Sequence, residues 1–155
     1  MVPIIYMETD GLLEPRRRAA DLDIRRVIDD SGARDLAMLN ARAYGMPLEL
    51  WECVSGMHFW PSDCCAFVGY VGEVPVSSAA ALPINGTVYI ALVATAPDQQ
   101  GKGYAETVMR RAVAEGQRTM GITRTTLHAS MMGHPLYRAM GYLPGPRLVL
   151  VGPQQ

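Results

Sequence analysis

The stretch TVYIALVAT, Thr87–Thr95, constrains the fold most, because it is apolar at nearly every position and ends just before Pro97 and Asp98. A strand with one wet face alternates polar and apolar residues. One without that alternation needs cover on both faces, so this run predicts a central strand flanked by helices. Directly after it the period changes. Val108, Met109, Ala112, Val113, Gly116 and Met120 follow one helical face, with Glu106, Arg110, Arg111 and Gln117 on the other, which predicts a long amphipathic helix from Ala105.

The rest of the chain supplies partners for this strand-turn-helix unit. Ile4–Met7 reads as a brief leader strand, followed by a linker holding Gly11, Pro15 and the triplet Arg16-Arg17-Arg18, which reads as a solvated charge cluster. Leu22–Val27 predicts a strand. Asp29, Asp30 and Ser31 offer N-cap chemistry for a helix over Ala33–Tyr44 that Gly45 and Pro47 stop, and a short helix follows over Leu48–Val54. A meander comes next: Cys64–Tyr70, a turn at Val71-Gly72-Glu73, Val74–Leu82, and a turn at Asn85-Gly86 that Pro83 is expected to lengthen. Thr125–Ala129 predicts a further strand, Gly133–Met140 a short helix ended by Gly141, and Arg147–Val151 a last strand. The fold class is thus α+β, a mixed, mostly antiparallel central sheet flanked by helices, divided into a leader strand and linker over 1–21 and one domain over 22–155.

Composition narrows the partners. With 155 residues, 49% hydrophobic and 19% charged, the chain can bury the core of one domain. Its formal net charge of -1 lacks the basic excess of a nucleic-acid-coating protein, so no nucleic acid is expected and a small molecule is favoured. No apolar run approaches the ~20 residues that cross a bilayer, and MVPIIYMETD lacks the basic start of a secretory signal, so the expectation is a cytoplasmic protein without a membrane partner. Cys53, Cys64 and Cys65 lack C-x-x-C spacing; they read as free thiols, and no metal is expected.

The chemistry concentrates at Gln100-Gly101-Lys102-Gly103-Tyr104-Ala105. Small residues in a turn that becomes a helix N-terminus leave backbone N–H groups pointing outward, which suits an anion such as a pyrophosphate. A P-loop is excluded, since Lys102 is followed by Gly103 and not by Ser or Thr. A dinucleotide fingerprint would place its third glycine at Glu106 and an acidic residue ~20 positions on, whereas no Asp or Glu follows Glu115.

What remains is Q-x-x-G-x-A, at Gln100, Gly103 and Ala105, together with the ending HASMMGHPLYRAMGY, which carries Tyr137, Gly141 and Tyr142. In these two motifs and their element order the chain resembles the GNAT superfamily of acyl-CoA-dependent N-acyltransferases over roughly Leu22–Val151. The resemblance implies acetyl-CoA as acyl-donor cosubstrate and a small-molecule or peptide amine as acceptor. It implies that Val93, Ala94 and Thr95 pair with the pantetheine arm, that Gln100, Gly101, Lys102, Gly103, Tyr104 and Ala105 hold the pyrophosphate, and that Tyr137 protonates the leaving thiolate. A homodimer is a possible assembly.

Two departures from that pattern stand out. Ser130 occupies a position where many members carry Asn, and TVYIALVAT holds no Glu to act as general base. The acids left as candidate bases are Glu49, Glu52, Asp63 and Glu73, while His128 reads as a pocket-lining or core histidine. These gaps keep open a second reading, a CoA-binding sensor or regulatory module with little or no turnover. Trp51 reads as core; if Phe59 and Trp60 line the acceptor pocket, the acceptor has an apolar or aromatic body.

Overall fold

The computed structural model describes residues 2–150. Seven strands, β1 (Val2–Thr9), β2 (Asp23–Arg26), β3 (Cys65–Val71), β4 (Val74–Ile84), β5 (Thr87–Thr95), β6 (Thr125–Ser130) and β7 (Leu143–Leu150), form one sheet in the order β2-β3-β4-β5-β6-β1-β7. Only β5 and β6 run parallel; every other neighbouring pair is antiparallel. The α+β class with a mixed, mostly antiparallel sheet is therefore the one observed, and β5 lies fourth of the seven strands.

Alternation along the strands builds two cores. On one face Cys65, Phe67, Ala79, Ala81, Val88, Ile90 and Leu127 meet Val108, Met109, Ala112 and Val113 of α2 (Tyr104–Met120). On the other face Ala66, Val68, Tyr70 and Ala80 meet Ala33, Leu36, Ala37 and Leu39 of α1 (Asp30–Tyr44). Full burial of side chains such as Leu36, Leu39, Met109 and Leu127 stabilises the fold by roughly 1.5–3 kcal/mol each. Local chemistry fixes the helix ends. Asp29 caps α1 by accepting from the Gly32 amide at 2.9 Å, and Gly45 and Gly121, at φ 61° and 66°, close α1 and α2 in the left-handed conformation that a Cβ penalises.

Four expectations change. The leader strand is longer than Ile4–Met7 and lies inside the sheet between β6 and β7, with Ile5 and Met7 buried in the α2-side core. The linker after it also packs: the Leu13 amide donates to the Met140 carbonyl at 2.9 Å, and a Cβ on Gly141 (φ 101°) would lie 3.0 Å from Leu13 Cγ. At Asn85-Gly86 both residues adopt positive φ, 50° and 72°, giving a two-residue turn with Ile84 opposite Thr87 and no lengthening. Pro83 is accommodated because β3 ends opposite Ala81, while Val88, opposite Pro83, sends its own N–H to Arg124. The last strand starts at Leu143 and not Arg147; as an edge strand it tolerates Pro144 and Pro146, and Val151 lies outside the described residues.

Candidate active site

The site begins with an irregularity in β5. Ser78 pairs with Ala94 but Ala80 pairs with Ala91, so β5 carries an extra residue here, and Leu92 takes φ 53°. A branched-chain residue in that region is costly and persists only where neighbours hold it. Three hydroxyls do so: Ser78 Oγ donates to the Leu92 carbonyl (2.9 Å), Tyr44 Oη to the Val93 carbonyl (3.0 Å) and Ser77 Oγ to the Ala94 carbonyl (2.9 Å). Buried Asn40 of α1 in turn donates through Nδ2 to Ser78 Oγ at 3.1 Å. The bulge ends the pairing with β6. Register with β6 runs only through Ile90↔Leu127, and beyond it the two parallel strands part.

A cleft of about 560 Å³ opens at this parting. Val93, Ala94 and Thr95 form one wall, Gln100, Gly101, Gly103, Tyr104 and Ala105 the turn above it, and Ser130 and Tyr137 the opposite wall. Ten of the eleven residues singled out from the sequence thus surround one space. Lys102 does not: its Nζ turns to Gln99 Oε1 at 2.7 Å, and its side chain is exposed.

The turn is suited to an anion. No side chain caps the N-terminus of α2, so its first amides stay open, and Gly101 and Gly103 hold φ 78° and 83°. Nothing lies within 4 Å of where a Cβ on Gly101 would stand, so a ligand can approach the backbone closely. The helix dipole adds about 0.3–1 kcal/mol for a negative group at that end.

Sequence reasoning missed four contributors. Arg16 and Arg17 are exposed, as a solvated charge cluster should be, but they also line the cleft, and Arg17 Nη1 donates to the Gly101 carbonyl at 3.0 Å. Glu106, placed on the polar helix face, is buried at the cleft wall, where Arg110 Nε and Nη2 both donate to its Oε1 (3.0 and 2.8 Å) and offset a charge that would repel phosphate. Tyr44 also lines the cleft, stacked on Trp51 with ring centroids 5.9 Å apart. The signal for Arg16 and Arg17 was their number; only the packing of the linker could show where they point. Tyr104 joins linker and turn, its buried ring donating from Oη to Asp21 Oδ2 at 2.8 Å, which together with burial raises its pKa.

Tyr137 sits on α3 (His134–Ala139) with its ring against Gly133, where a Cβ would be 2.9 Å from Cε2. Burial drives its phenol well above the ordinary tyrosine value, with Tyr44, Tyr142 and Tyr89 adding to the rise. Ser130 Oγ accepts from the Gly133 amide at 3.1 Å, so it holds the turn that leads into α3.

The expected bases are elsewhere. Glu73 pairs with Arg25 in the β3–β4 turn, Glu49, Glu52 and Asp63 are exposed, and none of the four lines the cleft. Trp60 is core, with Nε1 donating to the Val54 carbonyl at 3.0 Å, and Phe59 packs edge-on against it away from the cleft. The condition for an aromatic acceptor based on these two side chains is not met. Among the described residues no cluster of His, Cys, Asp and Glu is placed to hold a metal, and no helix is long and apolar enough to cross a membrane.

A parallel strand pair that splits beside an uncapped helix N-terminus, with a buried tyrosine across the gap, defines the class of α+β protein to which comparison then gives a family. The sequence model of the Acetyltransferase (GNAT) family matches residues 33–142, and the chain belongs to that family. Its structure is similar to a GCN5-related N-acetyltransferase from Kribbella flavida (24% identity, TM-score 0.66, covering 92% of this chain and 54% of that one). A GCN5-related N-acetyltransferase from Ralstonia eutropha JMP134 is likewise similar (20% identity, TM-score 0.63, 86% and 98% covered). So is the aminoglycoside N-acetyltransferase AAC(6')-Iy in complex with CoA (16% identity, TM-score 0.69, 92% and 100% covered). The chain spans little more than half the Kribbella protein. Among curated proteins no sequence relative matches it.

Proposed function

We propose that the chain transfers an acetyl group from acetyl-CoA to an amine by direct attack within a ternary complex. The observation that carries this is the cleft itself, in which the bulged end of β5, the open amides of α2 and Tyr137 face one another. Pyrophosphate would lie on the turn from Gln100 to Ala105 with Arg16 and Arg17 beside it, and the pantetheine arm would run along Val93 to Thr95. The residues present fit such a guest: open backbone donors, two arginines and a neutralised Glu106.

A thioester is already an activated acyl donor, so holding an amine against its carbonyl carbon supplies much of the acceleration, up to ~7–11 kcal/mol for well-oriented partners. Nitrogen bonds to carbon, the carbon–sulfur bond breaks, and the thiolate takes a proton from Tyr137, which remains a donor across the working pH range because burial keeps it protonated. An acyl-enzyme has no support in the geometry, since none of Cys53, Cys64 and Cys65 lines the cleft.

The competing reading, a CoA sensor without turnover, draws on the absence of a carboxylate in β5 and on Ser130. Thiol release from acetyl-CoA with a panel of amines separates the two. Turnover that falls ~10²–10⁴-fold in Tyr137→Phe with CoA affinity retained is expected. Tight CoA binding with no turnover on any amine selects the sensor.

A further inference from the structure

An ammonium acceptor must shed two protons in this reaction, and the cleft walls described above hold no free base for the first. The sheet face turned away from α2 does hold one. His128 is the first residue of β6 past the last β5–β6 pair, and its neighbours Leu127 and Ala129 point into the α2-side core, so its own side chain stands on the opposite face, where it is exposed. Ser130, two residues on and on the same face, already lines the cleft. Two residues of strand span about 7 Å, a gap that one water between the amine nitrogen and the imidazole closes.

The imidazole is held, not loose. Its Nδ1 lies 3.0 Å from Tyr89 Oη, and it stands between two aromatic rings, Tyr6 edge-on and Tyr89 tilted, each with its centroid 5.7 Å away. Tyr6 is itself fixed, donating to Glu8 Oε2 at 2.8 Å and packed where a Cβ on Gly145 would come within 2.8 Å of its ring. In the tautomer that carries its proton on Nδ1 and donates it to Tyr89 Oη, Nε2 holds the free lone pair and has no protein partner among the described residues. The titratable and charged groups around His128 are Tyr6 and Glu8 from β1, Tyr89 from β5, and Arg124, which precedes β6, pairs with Asp10 and partly offsets the charge of Glu8.

We propose that the acceptor amine enters from this face and that His128 Nε2 takes its first proton, with Tyr89 positioning the ring. This rests on the acetyl-transfer reading above. One ammonium proton passes to His128 and on to solvent; the nitrogen lone pair then forms the new bond to the acetyl carbon; the carbon–sulfur bond breaks. The second nitrogen proton replaces the one that Tyr137 gives to sulfur, so the step closes as amide, CoA thiol and one released proton.

The test measures thiol release from acetyl-CoA with tryptamine, spermidine, kanamycin and a lysine peptide, following kcat against pH for the best of them, alongside acetyl-CoA affinity. His128→Gln is expected to lower kcat ~10²-fold or more, to erase the acidic limb of the profile and to leave acetyl-CoA affinity intact. Added imidazole is expected to restore part of the rate of His128→Gly. Tyr89→Phe, which keeps the ring and removes the hydroxyl, is expected to move the acidic limb, and it carries the test if the His128 variants misfold. A His128→Gln enzyme with kcat within threefold of the parent and the limb unchanged overturns the assignment; an unmoved limb in Tyr89→Phe removes Tyr89 from it when the His128 variants fold, and overturns it when they do not. If acetyl-CoA binds and no amine is acetylated by the parent protein, the transfer reading itself falls, a result distinct from either.

Discussion

Tyr137 shows how a residue's chemistry depends on what surrounds it. The motif around it was visible in the sequence, but the rise in its pKa comes from burial against Tyr142 and Gly133, which no local pattern reveals. The sign matters for pH dependence. A general acid loses activity as pH climbs past its pKa, and a value raised above the ordinary tyrosine range pushes that loss upward. The pH profile of kcat is therefore expected to show no descending limb from Tyr137 below about pH 10; a fall centred near pH 8 would contradict this. Gly133→Ala tests the ring's position. Its Cβ would sit 2.9 Å from Cε2 of a ring that is only 8% exposed and has little room to yield, so kcat is expected to drop at least tenfold with acetyl-CoA affinity changed less than threefold. Arg17 and Glu106 mark the limit of reading residues singly: Arg17, though exposed, is aimed at the cleft by the Gly101 carbonyl far along the chain, and Glu106, whose charge suggested solvent, is buried against Arg110 one helix turn on.

Among the elements, those with strong periodicity were legible and those set by strain were not. The α1 caps, the short helix over Leu48–Val54, the Asn85-Gly86 turn and the amphipathic α2 all follow from local chemistry. The bulge in β5 has no such signature, because Leu92 at φ 53° is held by Ser78, Tyr44 and Asn40, which come from other elements. Close approach of α2 to the sheet is likewise a tertiary demand, met at Gly116, where a Cβ would lie 2.7 Å from Val88 Cγ1 and 2.9 Å from Ala81 Cβ. Ala81 cannot yield without moving β4. Gly116→Ala is therefore expected to destabilise the protein by about 1–3 kcal/mol in urea unfolding, and a change under 0.5 kcal/mol would show that the helix can shift freely.

At the scale of the molecule, the order of elements predicted a central β5 and a helix on each face, and both are present. The place of β1 was not predictable from its own residues. Its pairing is with β6 and β7, more than a hundred positions away, and only the assembled sheet shows that the segment before residue 22 contributes core side chains, part of the cleft through Arg16 and Arg17, and through Asp21 a partner for Tyr104. The same architecture puts a cationic wall, Arg16 and Arg17, beside the α2 N-terminus, and the proposed acceptor route lies on the sheet face that bears His128. Everything functional depends on the first of these accepting a nucleotide thioester. Isothermal titration calorimetry of the folded chain with acetyl-CoA measures that directly: one molecule bound per chain, more weakly when Arg17 is replaced by alanine, is the expected outcome, and no heat of binding from well-folded protein would contradict it.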